Sequence, residues 1–136
     1  MSKVINISDA ASLAIHSLAI IASSKDFTNA NKIAEITGFS KNHLLKVMRI
    51  LAKRNYLESE RGPNGGFVLK KNPKKITMFE IYELIDGKIE MHSCKMHLNK
   101  KCSFDHCVFG NINEKISQEF KSYLQSRTIY DIITSK

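Results

Sequence analysis

Between residues 30 and 69 the chain carries two short helical patterns separated by a single glycine turn and followed at once by a hairpin pattern. Ala30, Ile33 and Ala34 have helical spacing and stop at Thr37-Gly38-Phe39, where Gly38 is free to take the left-handed conformation that ends a helix. Ser40 is placed to cap the next helix. Its apolar face is Leu44, Leu45, Met48, Leu51 and Ala52, and its opposite face carries Lys41, Asn42, His43, Lys46, Arg49 and Lys53. Tyr56-Leu57-Glu58-Ser59 and Gly66-Phe67-Val68-Leu69 then read as short strands around the turn cluster Arg61-Gly62-Pro63-Asn64-Gly65. Two short helices joined by a tight turn, the second basic on its exposed side and backed by a hairpin, predict a winged helix-turn-helix. In such a fold the second helix enters the DNA major groove, and the hairpin lies against phosphates or in the minor groove.

The flanking segments extend this unit. Ala11, Ala14, Ile15, Leu18, Ile21 and Ala22 form one apolar helix face behind a candidate N-cap, Ser8. Asn72-Pro73-Lys74-Lys75 is a break, and Thr77-Met78-Phe79-Glu80 is a capping box opening a helix that Gly87 closes. Residues 88–111 show no period and hold all three Cys together with His92, His97 and His106. Ile112, Ile116, Phe120, Tyr123 and Leu124 mark a long helix, and Thr128-Ile129-Tyr130-Asp131 restarts a short one. The predicted fold is mainly α with a small β-hairpin wing and a long C-terminal dimerisation helix, since symmetric DNA sites match symmetric dimers. The competing arrangement folds that helix back on its own chain. The expected division is a winged helix-turn-helix DNA-binding domain at 1–77 and a segment at 78–136 with the cysteine sensor loop and dimerisation helices.

Charge supports that division. Residues 1–77 hold 13 Lys+Arg against 5 Asp+Glu, whereas residues 78–136 hold 8 against 8, so the whole net charge of +8 resides in the first part. A basic module points to a polyanion partner, although a solvated basic surface has the same composition. The 136 residues, 43% of them apolar and 25% charged, suffice for one compact soluble domain or one with an appendage. The chain carries no nucleophile-base pairing, phosphate-binding glycine loop or usefully spaced carboxylate pair, so an enzyme is not expected. No run approaches the roughly 18 apolar residues of a membrane span, and Met1 to Ser8 lack the pattern of a signal peptide. A cytoplasmic protein without membrane contact is therefore expected.

The candidate DNA contacts are Ser40, Lys41, Asn42, His43 and Lys46, at the start and on the exposed face of the recognition helix. Asn and Lys suit base edges, while Ser and the other cations suit phosphates. Arg61, at the wing tip, is suited to a narrow minor groove, where a guanidinium meets enhanced negative potential. Each of these residues taken alone reads as solvated surface. The cysteines follow the spacing C-x7-C-x4-C, unlike the C-x2-C of a zinc ribbon. Three thiolates hold an iron-sulfur cluster when a fourth ligand completes it, and a zinc site formed with His92, His97 or His106 uses the same residues. A third alternative, free thiols packed as small hydrophobes, is disfavoured by the neighbouring Lys100, Lys101 and Asp105. Asp9 reads as a dipole partner in the first helical turn, and His16 as a surface histidine.

These pieces together resemble the Rrf family of bacterial winged-helix transcription regulators, of the IscR and NsrR type. The resemblance rests on Ile7-Ser8-Asp9 before the first helix, Ile33-Ala34-Glu35, the wing Arg61-Gly62-Pro63-Asn64-Gly65-Gly66-Phe67, Ile76-Thr77 leading to Asp86-Gly87, and the cysteine triplet. It covers almost the whole chain. It implies a homodimer with crossed C-terminal helices that binds palindromic double-stranded operator DNA as a repressor. It further implies an affinity controlled by an iron-sulfur cluster on Cys94, Cys102 and Cys107, responsive to nitric oxide, redox stress or iron supply. The family's cysteines are spaced more evenly than in this chain, and the position three residues after the last Cys, a His ligand in the 2Fe-2S type, is Gly110. In the 4Fe-4S type an Asp from the other subunit is the fourth ligand, and Asp9 stands at the matching place. The resemblance thus favours 4Fe-4S with Asp9 as fourth ligand over a loop His, with 2Fe-2S as the alternative. Rival readings are the same DNA-binding fold with a thiol switch or zinc site, and a small iron-sulfur or redox carrier whose basic domain docks an acidic partner.

Overall fold

The computed structural model describes residues 4–90 and 102–135. The first helix, α1 (Asp9–Ala22), starts where Ser8 Oγ accepts a hydrogen bond from Ala11 N at 3.0 Å, the N-cap its sequence predicts. Helices α2 (Ala30–Thr37) and α3 (Lys41–Lys53) follow, capped by the side chains of Asn29 and Ser40. Gly38 between them has φ +76°, the left-handed geometry that lets α2 stop within one residue. Strands β1 (Leu57–Glu60) and β2 (Gly66–Leu69) pair antiparallel, with Leu57 opposite Leu69 and Glu60 opposite Gly66. After a 3-10 turn at Pro73–Lys75 come α4 (Met78–Asp86), α5 (Ile112–Ser126) and the short α6 (Ile129–Thr134). The described residues are mainly helical, with one two-stranded wing among them.

α1 is the centre of the core. Leu13, Leu18 and Ile21 on α1, Ile33 on α2, Leu44, Met48 and Leu51 on α3, Ile81 on α4 and Ile129 on α6 are fully buried in one cluster. Each such Leu or Ile contributes about 1.5–3 kcal/mol relative to exposure. Because α1 packs against α2, α3, α4, α6 and β2, its burial extends to Leu13 and Ser17, beyond the single face expected from its spacing. The core is also continuous across residue 77. α6 returns to the N-terminal module, where Ile129 N donates to Ile76 O at 2.9 Å and Met78 N donates to Arg127 O at 2.9 Å. Asp131 and Thr128 cap each other reciprocally at the start of α6, and these bonds hold the Asp131 carboxyl below its ordinary pKa.

The wing is fastened to the helix-turn-helix by a third strand-like contact. Thr28 N donates to Phe67 O at 2.9 Å and Phe67 N donates to Thr28 O at 2.8 Å, so β2 is tied to the residues just before α2. This approach requires a glycine next to Phe67: Gly66 has φ +140°, and a Cβ there would collide with the Thr28 carbonyl. Gly66→Ala is expected to cost about 1–3 kcal/mol of stability from backbone strain alone, read as a lower midpoint in thermal unfolding. A wild-type midpoint would show that the wing shifts freely.

Candidate nucleic-acid interface and cysteine segment

The exposed face of α3 is built by the same residues that start the helix. Ser40 Oγ accepts from His43 N at 3.2 Å, which leaves the hydroxyl proton of Ser40 to donate outward. Lys41, Asn42 and Lys46 are exposed, as are Arg49 and Lys53 on the following turns. Asn42, Lys46, Arg49 and Lys53 recur at helical spacing and form one polar, cationic stripe. His43 is half-buried, its ring edge-on to Phe39 with centroids 5.6 Å apart, so it is the least free of the five predicted helix contacts. Behind the stripe, Leu44, Val47, Met48 and Leu51 are buried and fix its orientation. Val47 replaces Leu45 and Ala52 as a core residue, these two being half-buried.

Arg61 is exposed at the wing tip, beside a turn closed by a hydrogen bond from Gly65 N to Gly62 O at 3.0 Å. The Thr28–Phe67 bonds tie β2 to the residues that lead into the helix-turn-helix, and β1 packs against α3. Tyr56, at the base of the wing, donates its hydroxyl to Glu80 Oε1 at 2.7 Å, and Glu80 also closes the Thr77 capping box of α4. Burial, then this contact with Glu80, pushes the Tyr56 hydroxyl well above its ordinary pKa, so it stays protonated and donating. Lys71 Nζ lies 4.0 Å from the centroid of the same ring. These ties join the wing to α4, and no local pattern in the chain announces them.

Of the predicted metal ligands, Cys94 lies outside the described residues, as do His92 and His97. Cys102 is half-buried and Cys107 is exposed, both as free thiols outside the core cluster, and His106 is exposed. Asp9 is exposed at the first position of α1, and its carboxylate has no hydrogen-bond partner among the described residues because Ser8 performs the capping. Among the described residues no three His, Cys, Asp or Glu side chains converge on one point. The donor chemistry nevertheless fits an iron-sulfur cluster: soft thiols off the core, and an accessible carboxylate that takes no part in the helix cap.

Two contacts missed in the sequence fix the turn that bears Asp9. Asp86 Oδ2 accepts from Ser8 N at 3.1 Å, and Asp86 Oδ1 accepts from Ser8 Oγ. One helical turn earlier, Tyr82 donates its hydroxyl to Asn6 O at 2.8 Å, while its ring stands edge-on to Phe120 of α5 with centroids 5.3 Å apart. On α5 itself Leu124 is buried, whereas Ile112 and Tyr123 are exposed, as are Val108 and Phe109 just before the helix.

A basic recognition helix with a wing locked beside it defines a winged-helix DNA-binding transcription regulator. The chain belongs to the Rrf2 family, described as iron-dependent transcriptional regulators, whose sequence profile matches residues 7–135. An HTH-type transcriptional regulator of Aquifex aeolicus is 31% identical over 129 residues, covering 93% of this chain and 90% of its own. The HTH-type transcriptional regulator NsrR of Bacillus licheniformis is 30% identical over 114 residues, covering 83% of this chain and 80% of its own. In fold the chain is similar to CymR, the global cysteine regulator of B. subtilis, with a TM-score of 0.80, 21% identity and coverage of 97% and 98% of the two chains. The family consists of regulators and not enzymes. No helix among the described residues is long and apolar enough to cross a membrane.

Proposed function

We propose that this regulator is a cytoplasmic homodimeric repressor that binds palindromic operator DNA and adjusts its affinity through an iron-sulfur cluster responsive to nitric oxide, redox stress or iron supply. Residues 1–77 act as the DNA-binding part and 78–136 as the sensing and dimerising part. Ser40, Lys41, Asn42, His43 and Lys46 face the major groove and Arg61 enters the minor groove. The observation that carries the DNA reading is the exposed cationic stripe of α3, packed against β1 of a wing that the Thr28–Phe67 pairing fastens to the start of α2. The exposed apolar residues Val108, Phe109, Ile112 and Tyr123 support a second copy of the chain as the partner of α5.

The cluster reading, 4Fe-4S in preference to 2Fe-2S, assigns Cys94, Cys102 and Cys107 as thiolate ligands and Asp9 of the partner subunit as the fourth. When bound, the cluster would supply iron that reacts with nitric oxide or oxygen. Asp9 supplies a weaker, more exchangeable ligand than a thiolate, and it is carried on the turn that leads into the central core helix. Whether Asp9 is engaged therefore bears on how the two winged domains are spaced, which sets the fit to an operator with fixed half-site separation.

Operator binding measured at several salt concentrations, with cluster-loaded and cluster-free protein, tests this reading. The expected result is a steep salt dependence and a clear difference in affinity between the two forms. Equal affinities would leave a DNA-binding protein without a cluster switch. In the same assay Arg61→Ala is expected to weaken binding by about 1–3 kcal/mol, and an unchanged affinity would make the wing a scaffold only.

A further inference from the structure

Asp86 occupies a place that is locally unfavourable. It is the last residue of α4, where the helix dipole presents negative charge, and a carboxylate there is disfavoured. Its oxygens instead face the positive N-terminus of α1, accepting from both Ser8 N and Ser8 Oγ. Ser8 Oγ in turn accepts from Ala11 N at 3.0 Å, so Asp86, Ser8 and the first turn of α1 form a continuous hydrogen-bonded chain. Tyr82, on the same face of α4, holds Asn6 O at 2.8 Å. The segment before α1 is thus strapped to α4 at two points, while none of its side chains Val4, Ile5 and Ile7 is buried in the core. Two carboxylates stand at one helix N-terminus, and only one of them is committed: Asp86 anchors, and Asp9 is left without a partner among the described residues.

We propose that Asp86, assisted by Tyr82, is the positioning residue that presents Asp9 as a ligand. This rests on the reading of Asp9 as the fourth cluster ligand and adds what places it. The strap is next in sequence to the cysteine segment and in contact with α5. Asp86 immediately precedes Gly87 and the segment leading to the cysteines, and Tyr82 carries Phe120 of α5 on its ring. Outer groups that orient a ligand typically matter about 10–100-fold in metal affinity.

Asp86→Asn keeps the shape of the side chain but removes its charge and one of its two accepting oxygens. Tyr82→Phe removes only the hydroxyl and keeps the ring against Phe120. Each is compared with wild type in two measurements on the full chain: amide exchange of residues 5–12 in cluster-free protein, and the rate of cluster loss to a chelator together with the electron paramagnetic resonance of the reduced cluster. The expected result for Asp86→Asn is faster exchange at 5–12 and cluster loss about 10-fold faster, with a resonance shifted toward that of Asp9→Ala. Tyr82→Phe should change both in the same direction by less, with thermal unfolding close to wild type. Unchanged exchange in both variants, or faster exchange with wild-type cluster kinetics and spectrum, would overturn the positioning role. Failure of the wild-type chain to take up a cluster would overturn it as well, and is distinguishable because it arises before either residue is changed.

Discussion

Cys107→Ser is expected to abolish assembly of an iron-sulfur cluster while leaving the fold intact. Serine matches the shape of cysteine but offers a hard, largely protonated hydroxyl where a soft thiolate is required. With Cys107 exposed and outside the core cluster, the change should alter unfolding free energy by no more than about 0.5 kcal/mol. Iron and sulfide should disappear together, visible absorption should be lost, and operator affinity should no longer respond to nitric oxide. Retention of iron and sulfide at wild-type levels would remove Cys107 from the ligand set.

The second large effect concerns the joint between the DNA-binding helices and the strap. Ile81 is fully buried on α4 against α1 and belongs to the same core cluster as Leu18 and Ile129. Ile81→Ala deletes three methyl or methylene carbons there and should destabilise the chain by about 2–5 kcal/mol, lowering the unfolding midpoint by on the order of 10 °C. Ile50 serves as the control: it is an isoleucine on α3 that is 42% exposed, and Ile50→Ala should change stability by less than about 1 kcal/mol. Equal losses in the two variants would contradict a core that runs through α4.

What could be read from the chain beforehand was local. Ser8, Ser40 and Thr77 are caps whose partners lie three residues away, and Gly38 ends α2 by its own backbone freedom, so the helix starts and stops are written within a few residues. The wing follows for the same reason, although β1 begins at Leu57, one residue after the expected start, because Tyr56 N donates to Leu51 O at the end of α3. The break at residues 72–75 contains a 3-10 turn, too short to carry a period. Long-range pairings were not legible. Nothing near Thr128 indicates that it bridges Thr77, and nothing near Asp86 indicates that it closes on Ser8. Asp86-Gly87 reads from sequence only as the end of a helix, since the group it serves is almost eighty residues away.

The candidate site divides in the same way. The stripe on α3 is legible because surface and core faces of one helix separate by period, and Arg49 and Lys53, already on that face in the sequence, continue it past the five candidate contacts. The ligand role proposed for Asp9 does not follow from its position, because an acid in a first helical turn ordinarily serves the helix dipole. The structure adds that Ser8 already caps the helix and that the Asp9 carboxylate stands exposed.

The most direct test is to purify the protein without oxygen and measure iron, acid-labile sulfide and zinc per chain, with the absorption spectrum of wild type beside that of Asp9→Ala. Iron and sulfide together are expected in the wild type, with a spectrum and cluster lifetime that the Asp9 change perturbs. Zinc in their place, or no metal under conditions that load clusters, would contradict the cluster and leave a DNA-binding regulator whose cysteines act as thiols or a structural site.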